Sequence, residues 1–377
     1  MNGTLARNWT RRVMIGDVPI GGGSPIPVQS MTNTRTSDVE ATVAQIGRLE
    51  EAGCDIVRVA VPDEAAARAL PEIIGRSGLP VVADIHFDYR LGLAAVEAGA
   101  HALRFNPGNI GSEERIAALV EACAARSIPV RIGVNAGSLE KDILGQYGRP
   151  TAEAMTRSAD RHIALLEQLD FRDIIVSMKS SDVPMTVEAS RIMASRSEYP
   201  LHLGITEAGT TLTGAVRSAV GLGLMLAEGY GDTIRVSLSG PPEEEVRVGR
   251  EILRSLGLRH GGVTVIACPT CGRTEIDVPG IASEIERRTA AIRTPVTVAV
   301  MGCVVNGPGE AREADIGVAG GRGESVLFQK GEVVGRLSDC DIAAALLERL
   351  MELVEERGGD RESGGRRGDG PPGPGGE

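Results

Sequence analysis

Between residues 26 and 257 the sequence alternates short β-branched and aliphatic runs with longer amphipathic runs rich in Ala and Glu, and this alternation constrains the fold most. The apolar runs are PVQSM, DIVRVAV, VVADIHF, ALRFNP, VRIGVN, DIIVSMK, LHLGIT and TIRVSL. A helical pattern follows each of them. One such pattern, SDVEATVAQIGRLEEAG, is expected to open with Ser37 as its N-cap and to end at Gly53. Eight strand–helix units in about 230 residues predict an α/β fold, a TIM (β/α)8 barrel. A doubly wound open sheet is the weaker alternative. No G-x-G-x-x-G follows the first strand, and G-x-x-x-x-G-K-[ST] occurs nowhere.

The rhythm changes at LRHGG, residues 258–262. The expected division is therefore a barrel over 1–257, a smaller α+β domain over 258–357, and a disordered tail over 358–377, where Gly, Pro and charges leave no face to bury. The second domain reads as strand VTVIAC, helix IASEIERRTAAI, strand VTVAVMG, a hairpin around VLFQKGEVVGRLS and a last helix DIAAALLERLMELVEER. Four Phe, four Tyr and one Trp leave the core to Val, Ile, Leu and Ala, as in parallel α/β proteins.

A formal net charge of −11 argues against a chain that wraps nucleic acid or lies on an anionic membrane, so any basic site must be local. No run approaches the roughly 20 apolar residues of a membrane helix, and the N-terminal segment lacks the apolar run of a signal peptide. Six cysteines in so long a chain suggest reduced thiols or metal ligands in a cytoplasmic protein rather than a disulfide scaffold.

Polar residues recur at the C-terminal ends of the predicted barrel strands, where barrel active sites are built. They are Arg58; Asp84 with His86; Arg104 with Asn106; Arg131 with Asn135; Ser177 with Lys179; Glu207; and Arg235 with Ser237. Spacing of i and i+2, or of i and i+4 for Arg131 with Asn135, puts each pair on one face of its strand. The excess of cations suits a small substrate carrying phosphate or diphosphate, because guanidinium forks pair with phosphate oxygens. Asp84 and Glu207 are candidates for proton transfer or for holding a substrate hydroxyl, with simple ion pairing to the arginines as the structural alternative.

In the second domain, Cys268 and Cys271 form a C-x-x-C at a strand end, and Cys303 ends the next apolar run. Three thiolates can reach one metal centre if those strands are neighbours. Closed zinc sites take four Cys or His ligands, and the next cysteine is Cys340, at the start of the last helix. A thioredoxin-like pair would leave Cys303 unexplained. An iron–sulfur cubane accounts for the set better, with three thiolates on three irons and Glu310 as the nearest carboxylate for the fourth. Cys54, Cys123 and Cys340 read as buried small residues.

CPTCGR followed by GCVVNGPGE, behind VQSMTNT, ADIHFDYR, RFNPGN, RIGVN and GITEAG, closely resembles the bacterial 4-hydroxy-3-methylbut-2-enyl diphosphate synthases of the methylerythritol phosphate route to isoprenoids. The likeness spans about residues 10–355. It implies a homodimer whose subunits join a TIM barrel to a ferredoxin/sulfite-reductase-like domain. It also implies a [4Fe-4S] cluster on Cys268, Cys271, Cys303 and Glu310. The implied reaction opens and reductively dehydroxylates 2-C-methyl-D-erythritol 2,4-cyclodiphosphate. Arg58, Arg104, Asn106, Arg131, Asn135, Lys179, Arg235 and Ser237 would hold the substrate, with Asp84, His86 and Glu207 near its reacting carbons. Electrons would come from flavodoxin or ferredoxin, since the chain shows no nucleotide or flavin fingerprint. A redox-independent barrel lyase or transferase with a zinc-stabilised second domain is the competing expectation. No domain interrupts the junction, so the resemblance is to the short bacterial form rather than the longer plant type.

Overall fold

The computed structural model describes residues 5–290, 292–304, 312–338 and 342–363. The chain divides into two compact units, Met1–Arg259 and His260–Glu377.

The first unit begins with a hairpin that periodicity did not announce. β1 (Val13–Ile15) and β2 (Val18–Ile20) pair antiparallel across a two-residue turn. Gly16 takes φ +60 there, a conformation that favours glycine. Val13, Ile15 and Ile20 pack against Ile56, Val82, Ala102 and Ile175. These four are inward residues near the starts of barrel strands, so the hairpin closes the N-terminal end of the bore with aliphatic side chains.

Six parallel strands run in chain order: β3 (Gln29–Met31), β4 (Ile56–Ala60), β5 (Val81–Asp84), β6 (Ala102–Phe105), β7 (Val130–Asn135) and β8 (Ile174–Lys179). The last two barrel strands, β9 (His202–Leu203) and β10 (Thr233–Ile234), pair with each other in parallel. Parallel bridges Val176↔Leu201 and Val28↔Ile234 join that pair to both edges of the six, so all eight expected strands form one ring. Val57, Val59, Ala83, Leu103, Ile132 and Val176 alternate with the inward residues and pack outward in the main core.

The helix after β3 spans Val39–Glu51. Its N-cap is Asp38 rather than the expected Ser37, because the Asp38 carboxylate accepts the N–H of Ala41 at 3.1 Å. The chain leaves that helix at Gly53 with φ +89, as the sequence pattern anticipated.

The second unit is a five-stranded sheet ordered β11 (Val263–Ala267), β12 (Val296–Met301), β13 (Ile316–Ala319), β14 (Ser325–Gln329) and β15 (Glu332–Leu337). The first three are parallel; β14 and β15 form the expected antiparallel hairpin. Helices Val278–Thr289 and Ile342–Ser363 bury Ile281, Ile285, Leu346 and Leu350 against Val298, Val300 and Val318. The first of these starts three residues earlier than its sequence pattern, capped by the side chain of Asp277. The last runs six residues into the stretch expected to be disordered. The remainder of that tail, like Cys340, lies outside the described residues.

Candidate active site

Four inward-facing rows of the barrel change character two residues up their strands. Ile56 is followed by Arg58, Val82 by Asp84, Ala102 by Arg104, and Ile175 by Ser177 and Lys179. The alternation that buries the aliphatic residues on the hairpin therefore aims the charged ones into the same bore, nearer its C-terminal mouth.

Asp84 organises one side of it. Arg104 Nη1 donates to Asp84 Oδ1 at 3.0 Å, Arg58 Nε stands 3.5 Å from Oδ2, and His86 Nε2 3.7 Å from the same oxygen. Burial pushes the Asp84 carboxyl up, but Arg58 and Arg104, with His86 and Arg131 behind them, outweigh it and hold the group below the usual carboxylate range. Asp84 is an anion here, an acceptor rather than a proton donor. Arg58 also directs Nη2 at the Met31 sulfur, 2.9 Å away.

Across the bore, Arg131 Nη1 donates to Gln29 Oε1 at 2.5 Å. β3 and β7 stand four strands apart in a ring of eight, so this bond spans the barrel. Arg131 and Lys179 are both buried, and among the described residues Nε and Nη2 of Arg131 have no hydrogen-bond partner. Burial, then the neighbouring Arg131 and Arg235, pushes the Lys179 ammonium well below its usual range. His202 on β9 lies near the same cations. It is buried, lacks a partner at either ring nitrogen among the described residues, and is kept neutral by burial and by Arg131 and Lys179.

The structure does not join Glu207 to this network by any described contact. Glu207 is exposed on the loop after β9 with φ +51, an uncommon conformation for a residue with a side chain. The second carboxylate touching the cations is Glu245, on helix Pro242–Ser255. It is buried and accepts from Ser30 Oγ at 3.1 Å, Leu238 N at 3.0 Å and Arg235 Nη2 at 3.4 Å. Asn106 caps a short helix through Gly108 N at 3.0 Å, and Ser177 Oγ donates to Ile132 O. Asn135 is half-buried at the end of β7, and Ser237 lies just past β10.

Sequence reasoning missed Gln29, His202 and Glu245. The first two sit on short strands with no charge to mark them. Glu245 stands in a run of three glutamates that reads as a solvated first helical turn.

In the second unit, β11 and β12 are neighbouring parallel strands, which places Cys268 and Cys303 at the same sheet end. Cys268 Sγ accepts the N–H of Gly302 at 3.0 Å. Cys271 N donates to Thr274 Oγ1 at 3.0 Å, and Glu275 N to Gly302 O at 2.9 Å, stitching the C-x-x-C loop to the Cys303 segment. The backbone N–H and side chain of Arg273 pull the exposed Cys271 thiol below its usual range. Among the described residues no three ligating side chains are close enough to enclose a metal ion. Glu310 lies outside the described residues. The donor chemistry fits an iron–sulfur cluster: soft thiols at one sheet end, with N–H groups directed at sulfur. By contrast, burial pushes Cys54 and Cys123 up to about 12, as inert core residues.

Residues 10–250 match the family described as GcpE TIM-barrel domain, and residues 264–354 match the GcpE protein C-terminal domain. The chain belongs to the GcpE family. A GcpE relative from Caldanaerobacter subterraneus subsp. tengcongensis is 58% identical over 93% of this chain and 99% of its own. One from Clostridium perfringens is 54% identical over 93% and 99%, and one from Geobacter sulfurreducens 56% over 92% and 99%. All three carry the name 4-hydroxy-3-methylbut-2-en-1-yl diphosphate synthase (flavodoxin). As a GcpE protein this chain is an oxidoreductase built from a TIM barrel and a C-terminal domain, as its motifs led us to expect. No helix among the described residues is long and apolar enough to cross a membrane.

Proposed function

We propose that this GcpE chain reduces 2-C-methyl-D-erythritol 2,4-cyclodiphosphate to (E)-4-hydroxy-3-methylbut-2-enyl diphosphate, with two electrons entering and one water leaving. The observation that carries this reading is the charge imbalance at the barrel mouth. Among the described residues, Arg58, Arg104, Arg131, Lys179 and Arg235 face only Asp84 and Glu245 as contacting carboxylates. Buried cations in such excess are costly unless an anion joins them, and a diphosphate bears charge of the required sign and size.

The chain's own groups then divide the work. The arginines and Lys179 take the phosphate oxygens, with Asn106, Asn135 and Ser237 at the strand ends supplying neutral hydrogen bonds. Asp84, ionised between its arginines, accepts a substrate hydroxyl. We assign proton movement to His86, half-exposed beside it, and to Glu207 on the loop after β9.

Cys268, Cys271 and Cys303, with Glu310, would hold a [4Fe-4S] cluster, which when bound supplies electrons one at a time. Flavodoxin, named with the relatives, or ferredoxin would deliver them, in a cytoplasmic homodimer. The test is anaerobic purification with iron and sulfide analysis, followed by turnover of the cyclic diphosphate with reduced flavodoxin. We expect brown protein with about four irons and four sulfides per chain, active only with reductant. Colourless zinc protein with reductant-independent activity would overturn the proposal.

A further inference from the structure

We infer that Gly133 is a positioning residue for the diphosphate site: its missing side chain is what lets the Arg104 guanidinium lie over neighbouring β7 inside the bore. The inference rests on the bore being that site. Arg104 and Arg131 are register partners on β6 and β7, and Gly133 is the next inward position up β7. A Cβ built at Gly133 would stand 2.6 Å from Arg104 Nη2 and closer still to Nε, inside any real contact distance. Backbone conformation does not explain this glycine, since its φ is not positive. The side chain is absent because the guanidinium occupies its place.

Gly204 repeats the device. The bridge Val176↔Leu201 sets Lys179 opposite Gly204, and a Cβ there would stand 2.7 Å from Lys179 Nζ. It would also stand 2.6 Å from the Arg235 carbonyl oxygen, so a substitution at Gly204 would distort the strands themselves. At Gly133 the three nearest atoms all belong to the movable end of Arg104. Alanine at 133 therefore displaces one cation while leaving the sheet its geometry, which separates positioning from folding.

The measurement is calorimetric titration of the full-length protein with inorganic pyrophosphate. Four variants are compared with wild type: Gly133→Ala, Arg104→Ala, the double variant, and Gly47→Ala, whose Cβ meets open space on an outer helix. Gly133→Ala should weaken binding about ten- to a hundredfold, the effect of losing one charged hydrogen-bonding partner. It should add less than about twofold when Arg104 is already alanine, because a residue acting only through another has nothing further to remove. Gly47→Ala should bind as wild type does.

Wild-type affinity in Gly133→Ala, or the same loss in both backgrounds, would overturn the inference while leaving the diphosphate site standing. A wild-type protein that fails to bind pyrophosphate would remove the site and the inference together. Should Gly133→Ala fail to fold, the double variant decides: it opens room for the methyl group, so its folding supports the inference and its misfolding refutes it.

Discussion

The two ends of the barrel are made from the same strands and differ in almost every physical respect. At the N-terminal end, Ile56, Val82, Ala102 and Ile175 close on Val13, Ile15 and Ile20 of the hairpin, and the cluster is wholly aliphatic. Two residues up those strands the bore holds Arg58, Asp84, Arg104 and Ser177, with Lys179 and Arg131 buried; among the described residues Nε and Nη2 of Arg131 have no hydrogen-bond partner. One end contributes stability through buried apolar area. The proposed diphosphate site at the other end would give stability up to keep a set of cations ready for an anion, the stability–function conflict expected of a binding site.

The sharpest way to break that contrast is to remove a cation. Lys179→Met should lower kcat/KM on the order of a thousandfold, as loss of a buried charged partner does, while the ligand-free protein melts no lower than wild type. A variant that lost stability with activity would assign Lys179 to the framework. The converse substitution belongs to the hairpin. Ile20→Ala should cost about 3 kcal/mol in denaturant unfolding with KM close to wild type, and a raised KM without destabilisation would contradict the division.

Glu245→Gln tests a residue that holds the mouth from outside. Losing the charge that faces Arg235 and Ser30 should cost about 1–2 kcal/mol, read mainly as a higher KM with kcat retained. An unchanged KM would make Glu245 a purely structural acceptor for Leu238 N–H.

The smallest effect is a pH dependence. Burial and the surrounding arginines lower the Lys179 pKa in the free protein, and a bound anion favours its charged form. Binding should therefore take up protons. Pyrophosphate affinity should fall as pH rises between the free and bound pKa values, by at most about tenfold per pH unit for one proton. Titration in buffers of different ionisation enthalpy measures this, and net proton release would contradict it.

How much could be read beforehand follows from the same contrast. All eight barrel strands were legible because outward aliphatic residues alternate with inward ones, and Arg58, Asp84 and Arg104 were legible as charges interrupting that pattern. The hairpin escaped because each of its strands is three residues long, below any useful period. β13 escaped for a similar reason, as four residues that include a glycine. Glu245 was hidden by its neighbours Glu243 and Glu244, since only tertiary packing distinguishes the one that turns inward. Gly133 and Gly204 carry no signal at all, for what matters about them is the space occupied by a residue from another strand. In the second unit the cysteines were legible by spacing, and the structure adds hydrogen bonds that tie their loops together.

Thermal unfolding with and without pyrophosphate measures whether the mouth of this barrel is a diphosphate site kept at the expense of stability. Wild-type protein should melt several degrees higher with saturating pyrophosphate, as mass action requires of a ligand bound only by the folded state. Arg131→Met should melt at or above the ligand-free wild-type temperature and show no such rise. A variant that melts lower than wild type yet keeps the full pyrophosphate shift would contradict the account.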